Sequence, residues 1–431
     1  MPARRRLPGV EIDHEAVRQA RIGAGLSLAE VAGSALTRQA VHLIETGKAR
    51  PSVRSLRIIA DRLGMPISAF LRSSPSRSRG RDPRLVELEQ LCLAHQYERA
   101  TELADEVLRD DAAPIDAQAG AHFYMGQALR HLGRTGQALE HLGRARELFE
   151  ALDDPWMVAE TMDWQASTLH PEESVEAVSL AEQALRRYRS LEPRQPATEA
   201  RMLEHLGTFL IGQQAFEQAR SCYEEALHLA GGLLDLGRLA RIYQGLSRCH
   251  ASLGETARAT ELAERAVALY AIEDELRPRP AQAALPRAEN DLALLLIEQD
   301  QLERAETLLT SALARLTAVG VDRPRAHLLL SLAGLRHRQG RVDEARALSQ
   351  QAAELAERLK EPEAAATAYE QLGQIHAERG ERAQANRCFQ RALALLERSG
   401  MTERRERCVA LRARVMAARS DPAPGRGEAG A

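Results

Sequence analysis

Between residues 13 and 71 apolar residues recur at helical spacing in short bursts, each opened by a capping residue and mostly closed by glycine. Asp13 is placed to cap a first helix whose apolar positions include Val17 and Ala20 and which ends near Gly25. Ser27-Leu28-Ala29-Glu30 is a capping-box sequence, in which hydroxyl and carboxylate each accept a main-chain N–H, and it opens a second helix through Val31 and Ala32. Thr37 caps a third helix carrying Val41 and Ile44 and stopped by Gly47. Ser52 caps a fourth, with Val53, Leu56, Ile59 and Leu63 on one face and Gly64 at its end. A last short turn is expected from Pro66 to Leu71. These five small helices share one core and form a domain over residues 10–72. Residues 73–84, rich in Ser, Pro, Gly and Arg, read as a flexible linker.

Beyond the linker the pattern lengthens and repeats. An apolar helix ends in a polar turn, and a second helix follows with small residues at fixed offsets, as in Gly126 to Ala145 and again in Gly373 to Ala392. The aligned alanines are Ala100, Ala138, Ala177, Ala219, Ala259, Ala305, Ala345 and Ala385, spaced by 38 to 46 residues. Small side chains are required there because the two helices of each hairpin approach closely. The pattern resembles the tetratricopeptide repeat, with hairpins longer than its consensus of about 34 residues. Residues 85–419 therefore form an α-solenoid of about eight hairpins, 402–419 being a helix that covers the last apolar face. Residues 420–431 are expected to be a disordered tail. The fold class is all-α. In the repeat frame the first helices line an inner face, whose inward positions include Arg201, Glu204 and His205, then Arg241, Gln244 and Arg248, then Arg287 and Asn290. Such groups suit a peptide backbone and its carboxylate; an ordinary solvated face is the alternative.

Charge divides the chain as the pattern does. The net charge is −3, but residues 1–80 carry 14 basic against 6 acidic residues, a balance of +8 that leaves −11 on the rest. A small basic head on an acidic body points to a polyanionic partner for the head. The five cysteines (Cys92, Cys222, Cys249, Cys388, Cys408) form no C-x-x-C pair, so a disulfide framework or metal site is not expected, and a reducing, cytoplasmic setting is. No stretch approaches the length of a membrane span, and the basic N-terminus is followed by no apolar segment. Phosphate-loop, metalloprotease and nucleophile-elbow motifs are missing, so neither an enzyme nor a cofactor is expected.

The residues Leu26 to Ala32, Thr37 to Lys48, Pro51-Ser52, Leu56, Ile59 to Gly64 and Phe70-Leu71 resemble the Cro and repressor type of helix-turn-helix, the XRE family, over essentially all of residues 13–71. The resemblance implies that the third helix enters the major groove with its N-terminal residues against base edges. Arg38 and Gln39 are then the base readers, chemistry that suits guanine and adenine respectively. Thr37, His42 and Lys48 fall at positions for phosphate or peripheral contacts, and Arg21 and Glu45 match a pair that braces the fold. Leu28 stands where many members carry glutamine, and the connection between the second and third helices is one residue shorter than usual. A head of this kind before tetratricopeptide hairpins resembles the RRNPP-type regulators, which bind signalling peptides and change their grip on DNA. That implies double-stranded DNA, a peptide or protein segment and a second copy of the chain as partners, and no membrane. Those receptors clamp peptides with asparagines, of which this chain has Asn290 and Asn386 alone. The alternative is an interaction scaffold with a vestigial helix-turn-helix.

Overall fold

The computed structural model describes residue 12 and residues 14–49, 51, 53–65, 70, 82–169, 175–230, 235–276 and 283–417. The chain forms two compact units, residues 1–233 and 234–431. The first begins with α1 (His14–Gly23), α2 (Leu28–Ala32), α3 (Arg38–Glu45) and α4 (Val53–Leu63). Their local signals act as expected. The Ser27 hydroxyl accepts from the Glu30 N–H at 3.2 Å while the Glu30 carboxylate accepts from the Ser27 N–H at 2.7 Å, and the Thr37 hydroxyl accepts from the Ala40 N–H at 3.0 Å. Val17, Val31, Val41, Ile44, Leu56, Ile59 and Phe70 bury their side chains in one core, against which Ile115 also packs. The caps expected of Asp13 and Ser52, the turn at 66–69 and 71, the linker up to 81 and the tail from 418 lie outside the described residues.

Two departures from the family pattern have a physical account. Leu28 is half-buried against the head's core, where a polar side chain would lose its water. The short connection after α2 turns at Gly33, whose φ of +52° suits glycine. The Arg62 guanidinium fills the space a Cβ would take there and donates to the Glu30 carbonyl at 2.9 Å.

The rest of the first unit is four hairpins: α5 (Pro83–Leu93) with α6 (Tyr97–Arg109), α7 (Ile115–His131) with α8 (Thr135–Ala151), α9 (Pro155–Thr168) with α10 (Val175–Arg189), and α11 (Pro196–Gly212) with α12 (Phe216–Ala230). The second unit repeats the plan. It pairs α13 (Leu236–Ser252) with α14 (Thr256–Leu276), α15 (Ala284–Glu298) with α16 (Leu302–Val319), α17 (Asp322–Arg338) with α18 (Val342–Leu359), and α19 (Pro362–Glu378) with α20 (Arg382–Arg398). All eight aligned alanines are fully buried. Glycines on the first helices serve the same close approach: a Cβ on Gly207 would lie 2.8 Å from the Tyr223 ring, and one on Gly373 2.8 Å from the Phe389 ring. The closing helix α21 (Thr402–Ala417) buries Cys408 against Phe389 and Leu396, and Arg404 forks onto Glu370 at 2.8 and 3.1 Å.

One hairpin contact makes stability depend on pH. His122 on α7 and His141 on α8 approach Nδ1 to Nδ1 at 3.0 Å, which requires one ring to donate and the other to accept, so the accepting ring is unprotonated. Burial, then the charges of His141 and Arg144, push His122 down to about 4. An unfolded histidine takes its proton near 6.5, so between pH 6.5 and 4 the unfolded chain binds more protons and stability falls with pH, by about 3 kcal/mol at the lower end. His122→Gln keeps a polar group but does not titrate. Denaturant unfolding of the full chain at pH 7 and pH 4.5 should show a smaller loss in this variant, and an equal loss would contradict the assignment.

Candidate functional site

The helix-turn-helix presents its third helix outward. Arg38 and Gln39 on the first turn of α3, His42 one turn later and Lys48 beyond it are all exposed, whereas Val41, Ile44 and Glu45 face inward. Thr37 is exposed too, and its hydroxyl caps α3. The helix is held from behind by Arg21. Its Nε donates to Glu45 Oε1 at 2.6 Å, one terminal nitrogen to Oε2 at 2.9 Å, and the other to the Leu26 carbonyl at 3.1 Å. The Glu45 side chain is only 4% exposed, so this fork joins α1, the turn and α3 out of water. The hydrogen bond to Glu45 raises Arg21 above its ordinary value despite partial burial.

In the first unit the inward row is engaged. Arg201 on α11 donates to Glu160 Oε2 at 2.9 Å and to Asp163 Oδ2 at 3.4 Å, both on α9, and His205 Nδ1 lies 3.0 Å from Asp163 Oδ2. Burial opposes the Asp163 charge, yet His205 and Arg201 hold the carboxyl below its ordinary range. Glu204 is buried. Sequence reasoning had placed Arg201 facing a ligand without its partners. The signal for them was the acidic pair Glu160 and Asp163, three residues apart on the preceding first helix.

In the second unit Gln244, Arg248, Arg287 and Asn290 gather around a residue that the sequence reading missed, Asp291. Gln244 donates to Asp291 Oδ2 at 2.8 Å and accepts from the Tyr270 hydroxyl at 3.3 Å. Burial pushes Asp291 up, opposed by Gln244, Arg248, Arg287 and Asn290. Arg241, Arg248 and Arg287 are exposed, and Arg287 Nε donates to the Ala283 carbonyl at 3.1 Å. Asn290 Oδ1 is buried and meets no hydrogen-bond donor among the described residues. Such a site can match an alternating line of N–H and C=O groups. Among the described residues no group of three or more His, Cys, Asp or Glu is gathered as a metal site, and no helix is long and apolar enough to cross a membrane.

Comparison with known proteins agrees with both halves. Residues 17–70 match the helix-turn-helix family model, and residues 198–271 and 324–398 match the tetratricopeptide repeat model. No characterised protein matches by sequence. Among solved structures, the apo form of the quorum sensor NprR from B. thuringiensis is similar, with a TM-score of 0.57 at 14% identity over 89% of this chain and 99% of its own. Aspartyl phosphate phosphatase F from Bacillus subtilis follows at 0.51 and 14%, over 89% of this chain and 93% of its own. At such identities the likeness is one of fold. The chain thus carries a helix-turn-helix at residues 17–70 and tetratricopeptide repeats at residues 198–271 and 324–398, in a fold similar to that of NprR.

Proposed function

We propose that the chain is a cytoplasmic, sequence-specific regulator that binds double-stranded DNA through α3 and changes that grip when its repeats take a peptide or protein segment. The observation that carries the reading is the exposed Arg38–Gln39 start of α3 on a frame braced from behind by Arg21 and Glu45. Arg38 and Gln39 read base edges, while Thr37, His42 and Lys48 hold the backbone. The head's charge of +8 supplies the attraction common to all duplexes. One small head makes few phosphate contacts, so the chain acts as a homodimer with heads on half-sites about 34 Å apart.

The ligand-binding residues are Arg241, Gln244, Arg248, Arg287 and Asn290 of the second unit, whereas Arg201 of the first is engaged by Glu160 and Asp163 and Glu204 beside it is buried. The unmatched Asn290 carbonyl and the Gln244 amide supply backbone pairing, and the exposed arginines supply charge. Ligand binding acts by population shift, favouring one arrangement of the repeats and with it one disposition of the two heads. The experiment that tests the reading is equilibrium binding of the full chain to duplexes enriched from a random pool. An enriched motif with two half-sites is expected; retention of every duplex alike, or of none, favours the scaffold reading.

A further inference from the structure

Trp164 on α9 has two guanidiniums over its ring, with Arg130 Cζ 5.8 Å and Arg201 Cζ 5.7 Å from the centroid. The two arginines are not equivalent. Arg201 is taken up by Glu160 and Asp163. Arg130, at the end of α7, makes one hydrogen bond, from Nε to the Ser167 carbonyl at 2.8 Å, and has no carboxylate within ion-pairing distance among the described residues. Its burial opposes the charge, and Asp163, Tyr97 and Glu204 support it only from a distance.

Two polar atoms beside Arg130 are also unmatched. The indole N–H of Trp164 and the hydroxyl of Ser167, one turn further along α9, are buried and meet no hydrogen-bond partner among the described residues. Ser167 as a residue is 3% exposed. Serines within helices ordinarily bond back to the preceding turn, so an idle buried hydroxyl is unusual. A guanidinium, an indole N–H and a hydroxyl thus stand together with one main-chain acceptor among them.

Rings continue from this point in both directions. Tyr97 and His131 stack at 4.4 Å, His131 meets Trp164 edge-on at 6.3 Å, Trp164 meets His205 at 5.6 Å, and His205 reaches Phe209 at 6.3 Å. Three of these five rings are Tyr, Trp and Phe, which together make up 3% of the chain, and two are histidines; the run crosses α6, α7, α9 and α11.

We propose that this face of the first unit is a binding site for a carboxylate carried beside a planar ring. Arg130 is the partner of the carboxylate, Trp164 Nε1 and Ser167 Oγ are supporting donors, and the ring wall seats the planar group. A singly charged carboxylate suits the site better than a phosphate dianion, because Glu160, Asp163 and Glu204 add negative field close by. The inference deepens the ligand-sensing reading, since a peptide ends in a carboxylate, and rests on it only for the view that the inner face meets ligand.

The test uses the full chain with Trp156→Phe, which leaves Trp164 as the one remaining indole of two. N-acetyl-phenylalanine and N-acetyl-phenylalanine amide are titrated while Trp164 fluorescence is followed. The acid should give a saturable change with a Kd of about 0.5–5 mM, ordinary for a ligand of its size. The amide should bind at least about tenfold more weakly, the effect of losing a charge-assisted pair. Arg130→Gln should bring the acid to the level of the amide, and Arg130→Lys should restore part of the difference. Equal binding of acid and amide to the unsubstituted site, or no saturable change by ~20 mM, overturns the proposal without needing any Arg130 variant to fold. No DNA is present, so failure here leaves duplex binding standing, and loss of duplex binding leaves this site standing.

Discussion

Replacing Arg21 with alanine is expected to unfold the head while the hairpins stay folded. The guanidinium satisfies both oxygens of a carboxylate that is 4% exposed, and it also accounts for the Leu26 carbonyl. Removing it strips the buried Glu45 carboxylate of its ion-pair partner, a change that costs about 3–5 kcal/mol. That is a large share of what a core of this size supplies. Hydrogen exchange on the full chain is the measurement: amides within residues 14–63 should lose protection by about two to three orders of magnitude, and those of α7 to α20 should keep theirs. The double variant Arg21→Met with Glu45→Met should recover much of the loss, because it removes the stranded charge. Unchanged protection in Arg21→Ala would show that the fork adds nothing to the head.

The second large effect concerns recognition. Arg38→Ala and Gln39→Ala remove exposed side chains, so the fold should be untouched while the enriched duplex loses about 1–3 kcal/mol for each, or roughly five- to hundredfold in affinity. Random duplexes should be bound nearly as before. Lys48→Ala should behave differently, weakening all duplexes alike and lowering the salt slope by about one. If Arg38→Ala and Gln39→Ala weaken random and enriched duplexes equally, both residues hold phosphate and the bases are read elsewhere.

The parts of this molecule that were legible in the sequence are those set by neighbours along the chain. Ser27 and Glu30 form a capping box within four residues, Thr37 caps its own helix, and the eight alanines are buried because each hairpin repeats the same close approach. The Arg21–Glu45 fork, 24 residues apart, was legible only through the family resemblance. Charge cancellation between hairpins was not legible. Arg201 meets Glu160 and Asp163 across 41 and 38 residues, and Gln244 meets Asp291 across 47. The repeat frame indicates which positions face inward, but not which charge on one first helix is answered by the next. For that reason Arg201 reads in sequence as a ligand contact and stands in the structure in a closed network, while Arg130, near the end of its helix, goes unnoticed. Leu28 shows the converse: it stands where many family members carry glutamine, and its side chain is half-buried against the head's core.

The central claim is that α3 reads duplex DNA by sequence. Its most direct test is equilibrium binding of the full chain to a duplex enriched from a random pool and to a scrambled duplex of equal length, at about 50 and 200 mM salt. The account predicts that the enriched duplex binds at least about 10³-fold more tightly than the scrambled one, and that both affinities fall steeply as salt rises. Equal affinity for the two duplexes at either salt, or no binding at the lower salt, would contradict it.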